Sequence, residues 1–256
     1  MLGATGSGKT TLLNTLVTYC LGVKRQDTFR YTIVDERDKD PTRSVTSEVT
    51  RYYIEPDQGR YPYPILIFDT PGFGDTSGVA KDEEIYLKIK AVLEDPSMID
   101  SIHSICFVAN STNQRLTASQ EYIMQKVTAM FGKDVAENFV TMATFCDGGP
   151  VNVKQALEND PSFKQVLGDR KHILYKFQNS ATFADPFEDQ VMHEQFWNIS
   201  MTSIGRFIND FLSKIPAKDL HITRDTLEKR QRLELSVRAL QVNSALIMAK
   251  KIDLEN

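Results

Sequence analysis

Gly3-Ala4-Thr5-Gly6-Ser7-Gly8-Lys9-Thr10 stands almost at the start of the 256-residue chain and matches the spacing G-x-x-x-x-G-K-S/T. Glycines so spaced let successive backbone N–H groups converge on phosphate oxygens, and a helix starting at the lysine adds a favourable dipole. That helix is legible. Leu12, Leu13, Leu16 and Val17 fall at helical spacing between Thr11 and Leu21, and Gly22 supplies a stop. In this reading Gly3, Ala4, Thr5, Gly6, Ser7, Gly8, Lys9, Thr10 and Thr11 surround a polyphosphate. Lys9 bridges its β- and γ-phosphates and the Thr10 hydroxyl ligates Mg²⁺. Such a loop normally joins a buried strand to its helix, yet only Met1 and Leu2 precede it, so the first strand is expected to be largely missing.

Beyond the loop, apolar and polar stretches alternate as a parallel-sheet protein requires. Strands are expected from Val45 to Ile54, Ile65 to Phe68, Ile102 to Ala109, Phe139 to Phe145 and Ile173 to Phe177. Helices are expected from Glu83 to Leu93, Thr117 to Phe131, Val151 to Glu158 and Val191 to Leu212. The organisation expected is a nucleotide domain over residues 1–215 and a helical extension over 216–256. In that extension Leu233, Val237, Leu240, Ser244, Ile247, Lys251 and Leu254 follow an alternating four-three spacing. Two polar residues among them weaken a coiled coil, and a helix packed on the domain's own surface is the alternative. No cap or turn signal closes the chain, which reads as truncated there as well.

Composition sets outer limits. Apolar residues make up 41% and charged residues 25%, so a real core is affordable and a wholly disordered chain is excluded. A net charge of −4 argues against a DNA- or RNA-binding protein. Three cysteines and four histidines, all widely spaced, make neither a disulfide framework nor a zinc cluster. No apolar run reaches membrane-spanning length and no signal peptide precedes the first helix, so a cytoplasmic protein is expected, with peripheral membrane association left open.

Asp69-Thr70-Pro71-Gly72 ends the apolar strand at Phe68. Phosphoryl transfer needs a carboxylate there for the magnesium shell and a glycine whose N–H reaches the γ-phosphate. Asp69 and Gly72 supply both. Together with Gly3 to Thr10, Ser44-Val45-Thr46 and the continuation Phe73-Gly74-Asp75, this segment resembles the septin and AIG1-type branch of P-loop GTPases. The resemblance spans about Gly3 to Leu212. It implies an α/β, Ras-like P-loop three-layer sandwich with a mostly parallel sheet, binding GTP or GDP with Mg²⁺. It also implies a GTP-dependent habit of forming homodimers or homo-oligomers through that domain. Thr46 would be the threonine that closes on Mg²⁺ and γ-phosphate, with Thr42, Ser44, Ser47 and Thr50 as competitors. The metal set is then Thr10, Thr46 and Asp69, and the catalytic set Lys9, Thr46 and Gly72.

Base recognition departs from the family pattern. The usual motif is N/T-K-x-D, and here Thr144-Phe145-Cys146-Asp147 keeps the aspartate but places Phe145 at the lysine position. Asp147 either reads guanine or is a turn residue before Gly148-Gly149-Pro150. The Phe145 ring either covers the base or belongs to the core. Asn179 and Ser180 fit a base-supporting loop. Phe73 occupies the position where Ras-like enzymes often carry a water-orienting glutamine, so slow hydrolysis is expected. Arg43 and Arg51 either act across a dimer or are solvated charges. A non-hydrolysing scaffold and an ATP-using P-loop enzyme are the rival readings.

Overall fold

Two strands at the centre explain the layering. Along 105–109, Ile105, Phe107 and Ala109 enter one apolar cluster, while Cys106 and Val108 enter another. Along 139–143, Phe139 and Ala143 join the first cluster, and Val140 and Met142 the second. Alternating side chains that are buried on both sides require a sheet covered on both faces.

The computed structural model describes residues 1–34, 48–57, 59–74, 79–131, 133–168 and 170–255. In chain order its elements are β1 (Leu2–Gly3), α1 (Lys9–Cys20), β2 (Thr50–Ile54), β3 (Ile65–Asp69), α2 (Val79–Glu94), β4 (Ser101–Ile102), β5 (Ile105–Asn110), α3 (Ala118–Met130), β6 (Phe139–Thr144), α4 (Asn152–Asn159), α5 (Pro161–Leu167), β7 (Ile173–Lys176), α6 (Gln190–Arg206), β8 (Lys218–Asp219) and α7 (His221–Glu255). The order β1-β5-β6-β7 forms a parallel sheet, with β2 and β3 paired antiparallel beside it. A parallel bridge between Ala4 and Phe73 joins the line of β1 to the segment following β3. Helices α2 and α3 contribute Ile85, Ile89, Ile123 and Met124 to one face, and α1 and α6 contribute Leu12, Leu13, Leu16 and Ile204 to the other.

The expected α/β sandwich is therefore present, with β1 only two residues long. Below it a cavity of about 700 Å³ opens between β3 and β5, lined among others by Ile65, Ile67 and Ile105.

Several boundaries differ from the sequence reading. The strand expected over 102–109 is broken at His103 and Ser104. Ile102 pairs antiparallel with Lys218 of β8, and the Asn138 side-chain amide donates to the carbonyls of His103 and Pro216 at 2.9 and 3.0 Å. Helix α5 was not anticipated. Its signal is Asp160-Pro161, an N-cap whose carboxylate accepts from the Phe163 N–H at 2.8 Å, followed by a proline at the first helical position. The helix expected to Leu212 leaves α geometry at Phe207 and ends in a π-helical turn, Phe207–Leu212.

Only the beginning of α7 packs on the domain: Leu220, Thr223 and Leu227 are buried, and the Arg224 guanidinium donates to the Leu93 carbonyl at 3.1 Å. From Leu233, which is 64% exposed, to Met248 the apolar side chains face solvent. Leu220 and Leu227, at the start of the helical extension, enter the same cluster as Phe107.

Candidate functional site

The strands β1, β5, β6 and β7 run parallel, and their carboxyl ends bring the chemistry-bearing loops to one edge, where open α/β sheets place ligands. The phosphate-loop sequence sits between β1 and α1. Gly6 and Gly8 adopt φ of 74° and 83°, a left-handed conformation that a Cβ disfavours. A Cβ on Gly6 would meet none of the described residues within 4 Å. The Lys9 side chain folds back over its own loop, donating from Nζ to the carbonyls of Gly3 and Ala4 at 3.0 and 2.9 Å. This fold-back holds the lysine cation against the backbone carbonyls of its own loop.

Two hydroxyls in this loop, Thr5 Oγ1 and Ser7 Oγ, are buried and have no protein partner among the described residues. Buried hydroxyls without partners are costly and call for a polar ligand. A phosphate group fits that requirement, with the hydroxyls and loop N–H groups as donors and Lys9 as counter-charge. Thr10 and Thr11 follow at the first turn of α1, both half-buried. Thr10 stands at the position that would hold Mg²⁺. Asp69 is fully buried at the end of β3, beneath the same loop.

The segment after Asp69 is pressed onto the phosphate loop. The Thr5 N–H donates to the Phe73 carbonyl at 2.7 Å, and the Phe73 N–H to the Gly3 carbonyl at 3.3 Å. A Cβ on Gly72 would stand 2.6 Å from Thr5 Oγ1 and 2.8 Å from Thr5 Cα. Only glycine permits that approach. Phe73 is 0% exposed and lies in the same core cluster as Ile85 and Ile123. The position read as a missing catalytic glutamine is thus a core position. The next N–H, of Gly74, donates to the buried Asp82 carboxylate at 2.7 Å.

Residues that the sequence reading did not single out hold this edge together. Thr144 donates from Oγ1 to the Ser7 carbonyl at 2.7 Å, tying the phosphate loop to β6. Ser111 donates from its N–H to the Thr144 carbonyl and from its hydroxyl to the Phe145 carbonyl, both at 2.9 Å. Asn14 of α1 is buried, and its side chain bonds both to the Val34 carbonyl (3.1 Å) and to the Ile33 N–H (3.0 Å). It thereby anchors the strand of chain leading into residues 35–47. Thr144 has a sequence signal, the N/T position of the base motif; Ser111 and Asn14 are ordinary polar residues until the fold places them.

In the loop after β6, Asp147 is exposed, and its Oδ1 accepts from the Gly149 N–H at 3.0 Å. Phe145 is 44% exposed and therefore not core. Asn179 is buried: its Oδ1 accepts from the Ser200 hydroxyl at 3.2 Å, which fastens the loop after β7 to α6. Ser180 is exposed beside it and donates to Gln178 Oε1 at 3.2 Å. Asn179 thus shapes the loop, and Ser180 presents its surface. Thr46, Arg43 and the competing Thr42, Ser44 and Ser47 lie outside the described residues. Arg51, on β2 opposite Phe68, is exposed.

Among the described residues no group of three or more His, Cys, Asp and Glu could hold a metal by protein ligands alone. A Mg²⁺ held by Thr10 and phosphate oxygens does not need one.

The comparisons with known proteins agree with this arrangement. Two solved structures of Toc33 from Arabidopsis thaliana share the fold. A dimerization-deficient mutant is 14% identical over 82% of each chain, with a TM-score of 0.52. A complex with GDP and Mg²⁺ is 16% identical over 86% of this chain and 85% of that one, also at 0.52. A third, from work on the chloroplast translocon components atToc33 and psToc159, for whose GTPase activity dimerization is important, is 15% identical over 86% and 84%, with a TM-score of 0.51. No curated protein matches. The AIG1 family model matches residues 1–215, the whole span that carries the phosphate loop, Asp69, Gly72 and Asp147, and the chain belongs to the AIG1 family.

Proposed function

We propose that this chain is a Mg²⁺-dependent GTP-binding protein that hydrolyses GTP to GDP slowly and couples nucleotide state to self-association through residues 1–215. The observation that carries the reading is the seating of Gly72 on Thr5, which brings the segment after Asp69 against a phosphate loop holding two buried hydroxyls without protein partners.

In this proposal Lys9 neutralises β- and γ-phosphate charge, and the loop N–H groups orient the γ-phosphate. Mg²⁺, when bound, would draw charge from the β- and γ-oxygens. Thr10 and Thr46 would ligate it, and Asp69 would order its shell. The Gly72 N–H would report the presence of the γ-phosphate. Gly72 and Phe73 share their chain with the loop contacts, so a shift at Gly72 is transmitted to β3 and α2. Asp147 would accept from the guanine N1–H and 2-amino group, with Asn179 and Ser180 bordering the base.

Support for self-association comes from the Toc33 structures, one described as dimerization-deficient and another tied to dimerization-dependent GTPase activity. A cytoplasmic location is proposed. No helix among the described residues is long and apolar enough to cross a membrane.

A second reading, a scaffold that binds guanine nucleotide without hydrolysing it, draws on the burial of Phe73, which leaves no hydrogen-bonding side chain at the water-orienting position. Both readings share guanine recognition, which Asp147→Asn tests. Asparagine suits the 2-carbonyl of xanthine better than the 2-amino group of guanine. GTP affinity should fall and XTP affinity rise relative to it, and unchanged binding of both would remove Asp147 from the site.

A further inference from the structure

Residues 24–34, between α1 and the stretch 35–47, form neither helix nor strand, yet they are pinned at defined points. The principal pin is Arg30. Its guanidinium offers five N–H donors in a planar fork. Nε donates to the Thr182 carbonyl at 2.7 Å, Nη1 to the carbonyls of Asp27 and Phe29, and Nη2 to that of Arg25 at 3.0 Å. Its Cζ also lies 4.8 Å from the centre of the Trp197 ring, a cation–π contact. Three of those carbonyls belong to the segment itself, so the fork shapes its turns. The fourth lies far away in sequence: Thr182 ends the 3₁₀ turn Asn179–Thr182 that follows β7.

That turn carries Asn179 and Ser180, which border the base in the reading above. It and the segment rest on the same two helices. On α6, Ser200 bonds Asn179, and Trp197, three residues earlier on the same helical face, meets Arg30. On α1, the Thr15 hydroxyl lies 2.8 Å from the Thr182 hydroxyl, and the neighbouring Asn14 bonds the Ile33 N–H and the Val34 carbonyl. Arg30 joins the turn to the segment directly.

We infer that Arg30 is a positioning residue that couples occupancy of the base site to the docking of residues 24–34. This deepens the guanine-nucleotide reading above and rests on it. A base against Asn179 and Ser180 steadies the turn, the Thr182 carbonyl with it, and the fork carries that order into the segment. Linkage is reciprocal, so a docked segment favours the base in equal measure. The phosphates have no part in this route. Lysine is no substitute, because one ammonium cannot span carbonyls arranged around a planar fork.

Amide hydrogen exchange read by mass spectrometry, with Mg²⁺ present, tests the coupling. The two ligands are GDP and ribose 5-diphosphate, which has phosphates but no base, compared at equal protection of the phosphate loop. In the wild type GDP should slow exchange in residues 24–34 and 179–182 by at least about fivefold, and ribose 5-diphosphate should slow neither. In Arg30→Gln, GDP should still slow residues 179–182 but leave 24–34 as in the free variant. Arg30→Lys, which keeps the charge and loses the fork, should behave like Arg30→Gln. Calorimetry should find GDP at least about fivefold weaker in both variants and ribose 5-diphosphate within about twofold of wild type.

Equal slowing of residues 24–34 by GDP in wild type and in both variants would overturn the inference. So would equal slowing by the two ligands in the wild type, a comparison that needs no variant to fold. Equal losses of affinity for both ligands would make Arg30 a strut of the domain and overturn it as well. A wild-type protein that binds no GDP would overturn the guanine-nucleotide reading and this inference with it. A wild-type protein that binds GDP and leaves exchange in 24–34 unchanged would overturn this inference alone.

Discussion

The Thr5 N–H donates to the Phe73 carbonyl at 2.7 Å, so the tip of the phosphate loop and the residue after Asp69-Thr70-Pro71-Gly72 share one backbone hydrogen bond. That bond fixes the direction of the Phe73 side chain. With its carbonyl turned to Thr5, the ring points down into the cluster of Ile85, Ile123 and Phe107. A polar substituent introduced there would enter the core and not the site.

The consequence is testable with Phe73→Gln, the substitution that would place the usual water-orienting side chain in this position. Burying an amide among apolar side chains and removing a fully buried ring should cost about 3 kcal/mol of stability. The rate of GTP hydrolysis per molecule should not rise. Urea unfolding and single-turnover hydrolysis on the same preparation check both parts, and a faster stable variant would show that the segment turns over when nucleotide binds.

Gly72→Ala probes the same contact from the other side. The added Cβ would lie 2.8 Å from Thr5 Cα, a backbone atom that cannot swing away. Either the phosphate loop or the segment after β3 must shift, at a stability cost of about 1–3 kcal/mol. The expected signature is a larger loss of GTP affinity than of GDP affinity relative to wild type, measured by titrating both nucleotides against the two proteins.

Much of this was legible in the sequence, for identifiable reasons. Gly6, Gly8 and Lys9 are required by loop geometry, so their spacing alone marks the loop between β1 and α1 as the candidate phosphate site. Leu12, Leu13 and Leu16 revealed α1 because one helical face had to meet the sheet. The role of Phe73 was only half legible: its chemistry excluded hydrogen bonding to water, but its burial depends on the partner strand of backbone at Gly3 and Thr5. Asn179 reads from the sequence as part of a base-supporting loop, yet its side chain turns to Ser200, a residue 21 positions away that no local pattern connects to it. The two polar residues His103 and Ser104 mark the break locally, but the pairing of Ile102 with Lys218 that accompanies it is a long-range choice.

His172 makes stability depend on pH. It is buried, with Nε2 2.8 Å from the Thr141 hydroxyl and Nδ1 3.5 Å from Glu158 Oε1. Burial holds its pKa below the ordinary 6.5, with the Glu158 carboxylate opposing in part. A histidine kept neutral in the folded state gains a proton more readily on unfolding. Its contribution is complete above pH 6.5 and is lost as the pH falls through and below that value. The melting temperature should therefore drop between pH 7 and 5, and His172→Asn should flatten that drop, as differential scanning across the range would show.

Self-association makes a separate prediction about rate. If Arg51 is supplied across a dimer to the developing phosphoryl charge, hydrolysis per molecule should rise with protein concentration, in parallel with dimer population. An arginine so placed contributes roughly 10³–10⁵ in related chemistry, so even poor alignment would dominate a slow intrinsic reaction. Arg51→Ala should flatten the rise and leave GTP affinity within about threefold, because the residue holds no ground-state nucleotide in its own subunit. A specific rate that is flat across the dimerisation midpoint would remove the trans-acting arginine from the account.

The central claim is that this phosphate loop serves a guanine nucleotide. Displacement of a fluorescent GDP analogue by GTP and by ATP, with Mg²⁺ present, in wild type and in Lys9→Ala, tests it most directly. GTP should displace the analogue at concentrations at least about tenfold below ATP, and Lys9→Ala should weaken GTP by a similar factor, about 1.4 kcal/mol. Displacement by ATP as effective as by GTP, or a folded Lys9→Ala variant that binds GTP unchanged, would contradict it.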